Sequence, residues 1–155
     1  MKRDAALQPL SHQHHNALMG VLLIRKGIEK KADMRVIKDF MLNWWQQDLD
    51  QHMMAEEKNL LPFLAQNQFD KSFLNVIERD HETIRLLGDR LKVHENDYLL
   101  YHVYADLVEQ HIRFEERVVF HKIQEEFSEQ QLSQLQYPLP ATEKKCADYP
   151  VKFWE

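Results

Sequence analysis

The stretch QHMMAEEKNLLPFL, residues 51–64, sets the problem on which the fold turns. Its apolar residues mark a buried segment, yet it carries His52, Glu56 and Glu57. Ionisable groups leave water at high cost unless each finds a partner. Walking outward in steps of three and four residues follows one face of a helix. That walk meets Ile37, Met41, Trp45, Leu49, His52, Glu56, Leu60 and Phe63, apolar everywhere except at its His and Glu.

Three other segments behave the same way. One reads Leu100, Tyr104, Val108, His111, Glu115, Val118; a second reads Leu74, Ile77, His81, Ile84, Leu87, Leu91. The N-terminal one reads Leu7, Leu10, His14, Ala17, Val21, Ile24, Ile28. Each segment therefore puts a lone imidazole or a His–Glu pair on the face that should be buried. The pairs also repeat: His52 to His111 and Glu56 to Glu115 are both 59 residues, within HMMAEE and HIRFEE. This is a weak two-fold repeat of a helix hairpin, each half holding one lone His and one His-x-x-x-Glu.

Helix boundaries follow from caps and breakers. Pro9 and Ser11 open a first helix that runs to about Ile28. Asp33 caps a second, reaching about Gln68, with Pro62 expected to kink it or end its regular part. Asp70 caps a third to about Val93, where Gly88 is a mild cost. Asn96 or Asp97 starts a fourth to about Phe127, and Ser128 caps a short helix over EQQLSQL. The remainder, with three prolines and no sustained period, reads as an extended tail. The expectation is an all-α, up-down-up-down four-helix bundle over 1–135. The tail, 136–155, should pack on the bundle or on a partner through Tyr149, Phe153 and Trp154, and a dimer is one such arrangement.

Composition narrows the function. A chain of 155 residues suits one domain, and three glycines and five prolines supply little turn chemistry for an all-β fold. A net charge of −5 counts against a general nucleic-acid binder, which must neutralise phosphates. One cysteine allows no internal disulfide framework. No apolar run approaches the roughly 20 residues of a membrane span, and MKRDAALQPLSHQHH lacks a signal-peptide core. A cytoplasmic protein with no membrane partner is expected.

Nine histidines are a surplus, and the buried ones need an explanation. A lone core His is commonly paired with a neighbouring carboxylate. Four helices that each bury such a group, with both glutamates in register, are better explained by cations. Imidazole nitrogen and carboxylate oxygen both ligate first-row metals. Two carboxylates able to bridge, with two imidazoles per side, would hold two metals, as in di-iron helical bundles. Structural zinc prefers closed four-ligand sites, often with Cys.

Those segments carry a resemblance. HHNAL, HMMAEEKNLLPFL, RDHETI and HIRFEERVVF are similar to the hemerythrin-like (HHE cation-binding) family over about residues 9–127. The second of them most resembles the di-iron domain of bacterial iron–sulfur cluster repair proteins. The resemblance implies a centre of two non-haem irons, other divalent cations being possible, in a four-helix bundle. It makes His52, Glu56, His81, His111 and Glu115 metal ligands, the glutamates as bridges. Oxygen carriers of the family have a second His one turn beyond the third-helix ligand; here Arg85 stands there. The Cys-bearing region of the repair proteins is absent, and His121 replaces the Pro that often follows the fourth-helix motif. The first-helix ligand stays open among His12, His14 and His15: His14 continues the stripe best, while His15 has Leu18 and Leu22 at helical spacing.

Other polar residues read more plainly. Glu57 and Glu116 lie about 100° round the helix from their neighbours and read as solvated or salt-bridged surface. His94, His102 and His121 read as surface or rim, and Trp45 rather than Trp44 as the inward tryptophan. Arg25 and Arg85 either pair with a ligand carboxylate or extend outward. Tyr98, Tyr101 and Tyr104 are candidates for a phenol near the metals, although aromatic stripes are usually core. Three functions follow in order. The first is reversible binding of a small diatomic, O2 or NO, for sensing, storage or iron and oxidative-stress handling. The second is an enzyme reducing O2, peroxide or NO with an external reductant, since no flavin, haem or nucleotide motif is present. The third is a metal-stabilised interaction module. No attached output domain is evident, which counts against a self-contained sensor.

Overall fold

The computed structural model describes residues 2–137 and 145–155, and among these it is helical with no strand. The first rod is α1, Gln8–Glu29. The second is a composite of α2 (Met34–Trp44), α3 (Asp50–Ala55) and α4 (Leu61–Gln66), joined by π-helical turns at Trp45–Leu49 and Glu56–Leu60. The third is α5, Lys71–Val93. The fourth joins α6 (Tyr98–Phe114) to α7 (Phe120–Glu126) through a π turn at Glu115–Val119. A short α8, Glu129–Leu132, and a 3-10 turn, Cys146–Asp148, complete the described elements.

The starts of these helices are written locally. Asp33, Asp70 and Asp97 each accept a hydrogen bond from the backbone N–H two residues on, and Ser128 forms a capping box with Gln131. Each such cap is worth about 1 kcal/mol. The second rod was expected to be one regular helix as far as Pro62; instead it contains two π turns. In the second of these, Leu61 N–H reaches back to Glu56 O, and the next residue is Pro62, which has no N–H to donate. Proline is not the cause, however. The fourth rod makes the same turn, Phe120 N–H to Glu115 O, where His121 replaces proline.

These turns alter which side chains face inward. Val118, expected on the buried stripe, is 41% exposed, and Val119 is fully buried instead. A π turn takes more residues per turn, so the inward position after Glu115 falls four residues on rather than three. The 59-residue repeat had this answer in it, since Val119 corresponds to the buried Leu60. Likewise Trp44 and Trp45 are both buried, contrary to the expectation of one. Trp44 lies on Gly20 of α1, where a Cβ would sit 2.6 Å from its Nε1. Trp45 lies on Gly88 of α5, where a Cβ would sit 2.8 Å from its Cε2. Gly88 is therefore the seat of an indole ring.

Packing joins α1 to α2 and α6, and α5 to α2 and α6. The interior divides into two apolar clusters. One contains Ala17, Ile37, Met53, Ile84 and Ile112; the other contains Leu10, Leu60, Ile77 and Val119. The first and third rods pass from the second cluster to the first, and the other two pass back. On every rod a buried polar residue lies at the crossing. Cys146, Tyr149, Phe153 and Trp154 of the tail return to the first cluster, while Tyr137 packs against the second. Phe153 and Tyr149 each pack edge-on against Phe40, and Cys146 N–H donates to Asn16 Oδ1 at 3.0 Å. Of the tail expected over 136–155, residues 138–144 lie outside the described residues.

Candidate metal centre

Between the two apolar clusters lies a layer of six buried polar side chains: His14, His52, Glu56, His81, His111 and Glu115. Each comes from the stripe of its own helix, so the local fold alone carries it inward. His14 is the first-rod imidazole in this layer; His12 and His15 are exposed. The six form two groups, His14–His52–Glu56–Glu115 and His81–His111–Glu56–Glu115, with both carboxylates common to the two. Within each group one ligand-capable atom from every residue lies within 4.8 Å of the others.

The donor atoms face one another without bonding. His52 Nε2 lies 2.6 Å from Glu56 Oε1, and His111 Nε2 contacts Glu115 Oε1, yet none of these atoms has a hydrogen-bond partner. The same holds for His81 Nε2, both nitrogens of His14 and the remaining carboxylate oxygens. Buried polar atoms are normally paired, so a concentration of orphans in one place calls for a missing partner. Convergent lone pairs from imidazoles and carboxylates are the donor set that a cation satisfies. The residues present thus fit a metal site.

The far nitrogens of His52, His81 and His111 have hydrogen-bond partners, and these fix the orientations of those rings. His81 Nδ1 donates to Glu57 Oε2 at 2.8 Å, and Arg85 clamps that carboxylate with two bonds of 2.7 and 2.8 Å. His111 Nδ1 donates to Asp80 Oδ2 at 2.9 Å. His52 Nδ1 donates to the amide oxygen of Gln13 at 2.6 Å. His14 stacks on Phe120, and its Nδ1 is 3.7 Å from Glu116, whose carboxylate accepts from Ser11 and pairs with Arg3. With an acceptor at Nδ1, a neutral ring presents its Nε2 lone pair inward.

Electrostatics separate the rings further. Burial, reinforced by the neighbouring His14, holds the His52 pKa well below the ordinary range, so this ring is neutral. Burial also opposes charge on His111, but Glu115, Asp80 and Glu56 outweigh it and lift its pKa to about 10. At His14 the same opposition is overcome by Glu116, Glu115 and Glu56. Burial would raise Glu57, yet His81 and Arg85 hold it at about 2.

Several outer residues correct the sequence reading. Glu57 and Glu116, read as solvated or salt-bridged surface, do pair with Arg85 and Arg3, but they also face the buried imidazoles of His81 and His14. Arg85 pairs with Glu57 and with Asp50, and Arg25 with Asp106 and Glu109; neither reaches a buried carboxylate of the site. Tyr98 and Tyr101 bond to backbone oxygens near the start of α2, and Tyr104 packs on Trp44. The phenol in the field of Glu56 and Glu115 is instead Tyr137, whose pKa is pushed up first by burial and then by those charges. His94 and His121 are exposed and His102 is half-buried. Gln13 and Asp80 were missed altogether. The signal was their position immediately before His14 and His81, corresponding places in the internal repeat.

A cavity of about 260 Å3 opens beside the first group. Its inner wall includes His14, His52, His111 and Val108, and its rim includes Gln13, Gln47 and Gln51. Among the described residues no helix is long and apolar enough to cross a membrane.

A buried cage of imidazoles and carboxylates within a helical bundle defines a cation-binding domain. The sequence model of the hemerythrin HHE cation binding domain matches residues 6–123, and the chain belongs to that family. No curated protein and no solved structure gives a significant match.

Proposed function

We propose that this chain is an up-down-up-down four-helix hemerythrin-like protein that holds two non-haem irons and binds a small diatomic, O2 or NO. The observation that carries the proposal is the set of nine orphaned donor atoms on six buried side chains, divided into two groups that share both carboxylates. The opposed passage of successive rods between the two apolar clusters supports the bundle. In this reading His14 and His52 would hold one iron and His81 and His111 the other, with Glu56 and Glu115 common to both groups. The ligand pattern is nearest that of the iron–sulfur repair proteins' di-iron domain, and the single cysteine favours the cytoplasm.

Iron held there would supply a redox-active Lewis acid for an electron-rich ligand. The protein residues do the rest. Glu57, Asp80 and Gln13 hold the imidazoles in their ligating tautomers. The carboxylates offset only part of the charge of two divalent ions, leaving a site attractive to electron donors. Val108, Ile112 and Ile84 supply apolar surface to the inner cavity wall. The cavity of about 260 Å3, larger than a diatomic needs, favours as second reading an enzyme that takes O2, peroxide or NO with an external reductant.

Reconstitution with ferrous iron under anaerobic conditions should give about two irons per chain by elemental analysis. A visible spectrum that appears with O2 or NO and reverses under vacuum supports reversible binding. Catalytic consumption of peroxide or NO would favour the enzyme, and one iron or none would refute the di-iron centre.

A further inference from the structure

The two halves of the cage are built on one plan and differ in what backs their imidazoles. The residue before each lone His bonds the paired His across the cage: Gln13 to His52, Asp80 to His111. The residue after each shared Glu faces the lone His: Glu57 at 2.8 Å from His81 Nδ1, and Glu116 at 3.7 Å from His14 Nδ1. One half therefore has two carboxylate acceptors in contact with its rings. The other has a neutral amide and a carboxylate out of hydrogen-bond reach. A carboxylate behind an imidazole makes the ring a stronger donor and fixes its angle. An amide does this less, because it carries no charge to stabilise the electron-poor, metal-bound ring. The half with the weaker backing also gives both of its imidazoles, His14 and His52, to the cavity wall, whereas the other half gives only His111.

We infer that the two cation positions are unequal, the one at His14 and His52 being the weaker, exchangeable position, loaded and emptied through the cavity, because Gln13 stands where Asp80 stands opposite. This rests on the two-metal reading above. The position at His81 and His111 is the anchor. Gln13 is a positioning residue: it acts on the metal through His52.

The test is metal release, independent of any activity. The protein is loaded anaerobically with Fe(II), challenged with excess ferrous chelator, and equivalents released are followed with time. Two equal phases are expected, separated by about 10-fold or more, the scale of effect that outer partners have on metal affinity. Gln13→Glu should slow the fast phase towards the slow one, and Asp80→Asn should speed the slow phase towards the fast one. His52→Ala should leave the slow equivalent in place, whereas His111→Ala should abolish it. Two equivalents leaving the wild-type protein at one rate would overturn the inference while leaving the two-metal centre standing. Retention of the slow equivalent in His111→Ala but not in His52→Ala would overturn the assignment of sides. An unchanged fast phase in a folded Gln13→Glu protein would remove Gln13 as the cause. Fewer than two bound irons in the wild-type protein would overturn both this inference and the reading beneath it.

Discussion

The His14–His52 side and the His81–His111 side of the cage share their carboxylates and their helical geometry, but little of their surroundings. Behind His81 and His111 stand Glu57, clamped by Arg85, and Asp80. Behind His52 and His14 stand the Gln13 amide, the Phe120 ring and an open cavity. The contrast teaches that ligand residues alone do not describe a metal site. The same two imidazoles and two carboxylates per group are backed by differently charged neighbours on the two sides.

The largest expected effect removes what the sides have in common. Glu56→Ala or Glu115→Ala should lower the iron content by at least one per chain, measured by elemental analysis. Full stoichiometry in both variants would show that the shared carboxylates do not bridge. Next comes removal of metal from the intact protein. A ligand present at 100 times its Kd stabilises by about 2.7 kcal/mol, so chelation should lower the thermal midpoint in calorimetry. Equal midpoints with and without metal would mean that the cage gains nothing from cations.

A smaller effect tests each side's packing. In Gly20→Ala or Gly88→Ala the new methyl meets Trp44 or Trp45 at 2.6 or 2.8 Å. Overpacking of this kind costs about 1–3 kcal/mol, against roughly 1 kcal/mol returned by alanine's helix propensity. Net loss of stability is expected in denaturant titrations, with Gly20→Ala disturbing the cavity-side metal and Gly88→Ala the other. The smallest effect is acid dependence of the metal-free protein. Glu57 has its pKa lowered from the ordinary 4.5 to about 2 in the folded chain. Its contribution is therefore complete above about pH 4.5 and is lost as pH falls towards 2. Arg85→Met should flatten that part of the curve in thermal melts taken across this range.

Much of this was legible in one dimension. Residues three and four apart share a helix face whatever surrounds them, so the stripes that carry His52, His81, His111 and the two glutamates could be drawn without a structure. Caps at Asp33, Asp70 and Ser128 are equally local, because the side chain bonds its own backbone. The stripe also favoured His14, and membership of the HHE family follows from the same segments.

What the tertiary structure decided is what lies between helices. Glu57 finds His81 on another rod, and Gln13 finds His52 across 39 residues of chain. No helical periodicity relates such pairs, so a carboxylate one residue off the stripe looked like surface. The π turns belong to this class too, for they change which residue faces inward and exchange Val118 for Val119. Sequence determined the donors, since a helix fixes the direction of its own side chains. The acceptors behind the donors, and with them the difference between the two sides, were set only when the rods packed.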